Sequence, residues 1–235
     1  MMFKQIWFFL PTAVFAHSWV ERAYVFKDGS ITGDPGYPRG NVLRTPTFLD
    51  QDMTYRLPPT GRTPNKILPE DHICMSSQRS HNYTEDSPVL SARAGDDILL
   101  MYQENGHVTR IDQDAGHNRT SGTIMVVGTP NESLANSFQS VMSPMNNYTE
   151  TLKVGSFDDG LCYQANETPK SRYRQSLPQR AHLDSEGINL WCGISVHLPP
   201  LLEPGDTYTL YWVWFFNGTG FEEVYTTCLD VKIIM

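Results

Sequence analysis

At 235 residues with a formal net charge of −8, the chain is long enough for one large domain or two small ones. Its acidity, with no Lys/Arg cluster to offset it, excludes nucleic acid as a natural partner. Past residue 16 no segment reaches the ~18 apolar residues of a membrane span, and the last residues lack the polar spacer and hydrophobic tail of a lipid anchor.

The first sixteen residues carry the signature of a secretion signal: Lys4 as a short basic start, an apolar run over residues 6–16, and Val14 and Ala16 at the positions a signal peptidase reads. Cleavage after Ala16 leaves 219 residues, 17–235, expected to form a single domain. Because the signal holds one lysine and no acid, the charge becomes −9. His17 is then the first residue. Only seven of the 235 residues are histidine, so its place at the new terminus is uncommon. An N-terminal histidine supplies two nitrogens, the α-amine and a ring nitrogen, which together chelate a metal ion. With a second histidine they form a tetragonal nitrogen set that suits Cu(II), which also heads the divalent affinity order. The competing reading is a surface histidine on a frayed terminus.

Residues 18–26 are rich in strand formers and predict a first strand, which would hold His17 in fixed geometry. Residues 28–70 contain seven prolines among glycines and threonines, a composition that excludes helix and central strand and predicts a long surface loop or short turns. Its Tyr37 and Tyr55 are candidates for a substrate-facing surface, against the plainer reading of an ornamental loop. Strands are expected over residues 97–104, 122–128, 190–198 and 207–216. The last has Tyr208, Leu210, Trp212, Trp214 and Phe216 on one face and Tyr211, Val213 and Phe215 on the other, so it is expected between layers, with its tryptophans in the core rather than on a sugar-stacking platform. Residues 129–150 and 163–189 read as loops with at most short helical turns, and Arg172, Arg174 and Arg180 as a solvated basic patch. The short strands and turns predict an all-β, antiparallel β-sandwich with long loops and minor helix.

Four cysteines, Cys74, Cys162, Cys192 and Cys228, without the close pairs of a zinc site, fit two disulfides in an oxidising compartment. Sequons at Asn82, Asn118, Asn131, Asn147, Asn166 and Asn217 fit a secreted, extracellular glycoprotein. Of the remaining histidines, His107 comes after a strand and the turn glycine Gly106. His117 sits in a looser loop beside the Asn118 sequon, where a glycan would crowd a metal, so His107 is preferred as the second ligand. Near the end, alternation puts Glu223, Tyr225, Thr227 and Leu229 on one strand face, letting Glu223 and Tyr225 reach the same site.

These residues together resemble the lytic polysaccharide monooxygenase superfamily and its copper-binding relatives. The resemblance rests on the signal-cleaved His17, on Asn105-Gly106-His107, and on the Tyr-x-x-Cys-x-Asp-Val run over residues 225–231. It implies an immunoglobulin-like β-sandwich carrying a copper "histidine brace" of His17 and His107, with Tyr225 weakly axial and Glu223 just behind the ligands, these two being the expected catalytic pair. The implied activity is oxidative C–H attack on an extracellular polysaccharide, fed by a small-molecule or protein reductant and carried out by a monomer. The brace leaves coordination positions open for the oxidant, as metal catalysts require. Four cysteines allow three pairings; the family habit of tying the last strand to the first half of the chain implies Cys74 with Cys228 and Cys162 with Cys192.

The alternatives are a non-catalytic copper-binding protein for acquisition or storage, and a structural surface protein without metal. A serine hydrolase built on Ser195 and His197 lacks the Gly-x-Ser-x-Gly elbow. A glycosidase on Asp158 and Asp159 has only the presence of two carboxylates behind it.

Overall fold

The computed structural model describes residues 17–113, 121–134, 136–177, 185–216 and 223–235. The expected signal, His117, Arg180 and the sequons at Asn118 and Asn217 lie outside the described residues.

In chain order the strands are β1 (Val20–Lys27), β2 (Ser30–Gly36), β3 (Arg56–Leu57), β4 (Leu90–Ala92), β5 (Asp97–Tyr102), β6 (Thr123–Thr129), β7 (Glu150–Ser156), β8 (Ser185–Glu186), β9 (Asn189–Leu190), β10 (Cys192–His197), β11 (Thr207–Phe215) and β12 (Val224–Ile233). Two short α-helices interrupt them, α1 (Phe138–Met142) and α2 (Pro169–Ser176). One sheet runs β10-β5-β1-β2; the other runs β3-β12-β11-β6-β7, with β4 alongside β12. All these pairings are antiparallel except that of β4 with β12. The fold is therefore the antiparallel β-sandwich expected. No helix among the described residues is long and apolar enough to cross a membrane.

The core lies between the sheets. Val20 and Ala23 of β1, Ile98, Leu100 and Tyr102 of β5, and Ile194 and Val196 of β10 meet Ile124 and Val126 of β6, Leu210, Trp212 and Trp214 of β11, and Tyr225, Leu229 and Val231 of β12. Each fully buried aliphatic side chain here contributes about 1.5–3 kcal/mol relative to exposure.

The opposite face of β11 is apolar because a third layer covers it. Tyr211 and Val213, with Val127, Val224 and Cys228, pack under Leu57, Ile73 and Cys74 and under Phe138 and Val141 of α1. Ser137 caps that helix, its hydroxyl accepting from the Ser140 N–H at 3.1 Å. The disulfide Cys74–Cys228 pins the cover to β12, and Cys162–Cys192 ties the segment before α2 to β10. These are the two pairs the resemblance implied.

The proline-rich segment is more deeply built in than a surface loop. It starts as the edge strand β2, where a proline is tolerated. It then runs along β12, with Pro38 bridged to Leu229 and the Arg39 N–H donating to the Cys228 carbonyl at 3.1 Å. Arg39 is fully buried and forks onto Asp230, Nε to Oδ2 at 2.7 Å and Nη2 to Oδ1 at 2.6 Å. Tyr83, His81 and Thr209 complete the shell of that carboxylate at 2.7, 2.9 and 2.8 Å. Gly40, at φ +58°, is obligatory there: a Cβ would stand 2.6 Å from the Ser77 carbonyl oxygen.

Arg174 corrects the expectation of a solvated basic patch. It is buried, and its guanidinium donates to the Cys162 carbonyl at 2.6 Å and the Asp158 carboxylate at 2.8 Å, so it braces the second disulfide. Arg172 is exposed and pairs with Glu167.

Candidate metal centre

His17 is held by its neighbours on both sides. In the antiparallel β1–β5 pair, Val20 stands opposite Tyr102, and continuing that register brings residue 17 opposite 105. The Asn105 carboxamide donates to the His17 carbonyl at 2.5 Å, the Ser18 hydroxyl to the Gln103 carbonyl at 2.8 Å, and the Val20 N–H to Thr227 Oγ1 on β12 at 3.2 Å. Trp19 is buried against Phe48, ring centroids 5.9 Å apart. This segment is clamped between two strands rather than frayed.

His107 is aimed by the turn after β5. Asn105 and Gly106 take positive φ, +44° and +87°, a left-handed pair that suits asparagine and glycine, and the His107 N–H closes the turn onto the Glu104 carbonyl at 2.8 Å. The buried Glu104 carboxylate fixes the backbone on the far side of His107. It accepts the N–H groups of Val108 and Thr109 at 2.8 and 3.2 Å, the Thr109 hydroxyl, and the Gln164 N–H at 2.9 Å. Asn166 joins the same hub through Thr109 Oγ1 at 2.9 Å. The His107 ring itself is buried between Trp214 and Phe216, at 5.3 and 5.1 Å between centroids.

The turn and the terminus bring the two imidazoles into one electrostatic neighbourhood. Burial lowers the pKa of His17, the Asp50 carboxylate opposes this, and the charge of His107 adds to the lowering. The lowering favours the neutral ring, the state that ligates a metal.

Tyr225 stands opposite Trp214 in the β11–β12 register, its ring 5.2 Å from the indole and buried on the core side. Its hydroxyl donates to Glu223 Oε1 at 2.6 Å, and that oxygen lies 3.8 Å from Arg56 Nε. Trp214 thus joins His107 to Tyr225, so two of the four expected site residues share one aromatic wall, and Glu223 is tied to it through the Tyr225 hydroxyl. His17 reaches the group through the His107 turn. The remaining candidate for second histidine, His117, lies outside the described residues.

Two features escape sequence reasoning. Asp50, on a 3₁₀ turn at Asp50–Asp52, places its Oδ2 3.8 Å from His17 Nδ1. Glu104 is the buried hub behind His107, yet in the sequence it reads only as the end of a strand. No periodicity signals either role.

Other clusters of donor residues are already engaged. Cys162 and Cys192, near Asp159, form a disulfide, and Asp230, grouped with His81 and Glu132, is forked by Arg39. Asp159 accepts the N–H groups of Leu161, Cys162 and Gly193, a loop-shaping role. His197 pairs with Asp97 on the surface at 2.9 Å. Tyr55 turns its ring into the covering layer and its hydroxyl to the His72 carbonyl. Tyr37 lines a cleft of about 340 Å³ with Glu21, Arg22, Arg44 and Trp191.

The profile of a protein family described as "Domain of unknown function (DUF7492)" matches residues 14–235. The chain belongs to the DUF7492 family. Among curated proteins none is matched by this DUF7492 chain. Among solved structures it is similar to a cellulose-active polysaccharide monooxygenase from M. thermophila, with 15% identity, 93% of this chain and 78% of that one covered, and a TM-score of 0.40. It is also similar to a chitin-binding domain from Burkholderia pseudomallei, with 14% identity, 91% and 80% covered, and a TM-score of 0.32.

Proposed function

We propose that this DUF7492 protein is a secreted copper protein built on a histidine brace, acting on an extracellular polysaccharide by oxidative C–H attack. The observation that supports the reading is the neighbourhood of the His17 and His107 segments: strand register and the Asn105-Gly106 turn set them side by side, and burial shifts His17 toward the neutral form. Imidazole and amine nitrogens in a tetragonal set fit copper. Bound there, copper would supply activation of O₂ or H₂O₂ for hydrogen abstraction beside a glycosidic bond, with electrons from a small-molecule or protein reductant.

The chain's own residues have distinct tasks in this reading. His17 and His107 would hold the metal, and the Asn105 and Glu104 hydrogen bonds fix the backbone that carries both rings. Trp214 and Phe216 exclude water from the inner side of His107. Tyr225 would flank the metal with its buried ring, and Glu223, tied to its hydroxyl, would present a carboxylate toward the oxidant.

The test starts from mature protein beginning at His17. Copper-loaded and reduced, it is expected to release oxidised oligosaccharides from insoluble glycans, detected by mass spectrometry. One residue added ahead of His17 converts the α-amine into an amide and should abolish tight Cu(II) binding. Equal affinity for both forms, measured by calorimetry with a competing chelator, sinks the brace. The second reading is a protein that holds copper without turnover, and the observation favouring it is the carboxylate of Asp50 beside His17.

A further inference from the structure

The position of Asp50 is built into the fold. Its turn is closed by the Met53 and Thr54 N–H groups donating to the Asp50 carbonyl at 3.2 and 2.9 Å, and by the Leu49 N–H donating to Asp52 Oδ2 at 2.9 Å. Met53 is buried directly after it. Just before it, Phe48 packs on Trp19, and the Arg44 guanidinium lies 5.1 Å over Trp19 and 4.8 Å over Phe48 while pairing with Glu21 of β1. Residues 44–53 are therefore fastened to the strand that begins three residues after His17.

We infer that Asp50 is a further ligand of the metal held by His17 and His107, contributing Oδ2 and turning a three-nitrogen set into three nitrogens and one carboxylate oxygen. This rests on the histidine-brace reading. The α-amine and Nδ1 of the same histidine close a six-membered chelate ring, so Nδ1 is the nitrogen that faces the metal, and Nδ1 is the atom Asp50 approaches. Donor atoms each ~2.0–2.2 Å from one metal stand ~3 Å apart at a right angle and ~4 Å apart across it; the observed 3.8 Å falls within that span. A carboxylate is a hard, anionic donor that stabilises Cu(II) more than Cu(I), and it fills a position the oxidant would otherwise take. Asp50 thus weights the site toward retaining oxidised copper.

The experiment compares Cu(II) and Cu(I) affinities, by competition with chelators, and Cu(II) electron paramagnetic resonance spectra. It uses mature protein, the one-residue N-terminal extension, and the variants Asp50→Asn, Asp50→Glu and Asp34→Asn. Asp50→Asn is expected to weaken Cu(II) about 10- to 100-fold, change Cu(I) affinity far less, and alter the spectrum. Asp50→Glu, which restores a carboxylate, is expected to recover most of the Cu(II) affinity and shows that the loss is not misfolding. Asp34→Asn, the same charge change at an exposed position of β2, is expected to match mature protein. If Asp50→Asn matches mature protein in affinity and spectrum while the extended form loses copper, the role of Asp50 is overturned and the brace stands. If the extended form binds as tightly as the mature one, the brace falls and Asp50 with it.

Discussion

Tyr225 and Glu223 act as one unit, because the phenol donates to the carboxylate at 2.6 Å while its ring is fixed opposite Trp214. Replacing Tyr225 by phenylalanine keeps the ring's packing and deletes the donor. The variant is expected to bind copper within a few-fold of wild type while its Cu(II) spectrum shifts; loss of copper altogether would mean that the hydroxyl, not the ring, builds the site. The proposed site residues His17, His107, Glu223 and Tyr225 are legible in the sequence because each is marked locally, by an expected cleavage site, a turn glycine or strand alternation. Asp50 is not. A carboxylate in a proline-rich turn, 33 positions from the His17 it meets, obeys no period, and only the docking of Phe48 and Arg44 onto β1 brings it there.

At the scale of the element, β11 is readable because seven of its nine residues are apolar or aromatic and fall on both faces, which admits only a position between layers. The edge strand β7 escapes the pattern for the opposite reason. Its residues are largely exposed and carry Glu150 and Lys153, as befits an edge, and its strand character comes from pairing with β6, which is remote information. The proline-rich segment reads as loop because its anchor is one ion pair, Arg39 with Asp230, between residues 191 apart. Burial alone would raise the Asp230 carboxyl, but the hydrogen bonds and charge of Arg39 outweigh it and hold the carboxyl below the usual range. With a folded pKa below the unfolded value near ~3.9, the pair's stabilisation is complete above that value and is lost as pH falls through the folded pKa. Arg39→Met strands a buried carboxylate and is expected to cost about 3–5 kcal/mol at neutral pH, read by urea denaturation. The deficit should shrink in acid as Asp230 protonates; a deficit independent of pH would argue that lost packing of the long side chain, not charge, is responsible.

For the molecule as a whole, the covering layer waits on the last strand, since Cys74 meets Cys228 across 154 positions, whereas the hub behind His107 draws only on residues 104–166. Asn166 adds a matter of timing. Asn82, Asn131 and Asn147 are exposed, whereas the Asn166 amide nitrogen already donates twice, to Thr109 Oγ1 at 2.9 Å and to the Gln164 carbonyl at 2.8 Å. A carboxamide nitrogen has two hydrogens, and an N-linked sugar replaces one of them. Attachment of the sugar and closure of the hub behind His107 therefore compete for the same atom, and on the proposed secretory route whichever happens first decides the other. Glycopeptide mapping is expected to find Asn82, Asn131 and Asn147 occupied and Asn166 bare in correctly folded protein; full occupancy at Asn166 with copper binding intact would show that the hub tolerates the loss of one strut. If the mapping holds, Asn166 is a sequon whose emptiness is a record of folding having outrun the glycosylation machinery.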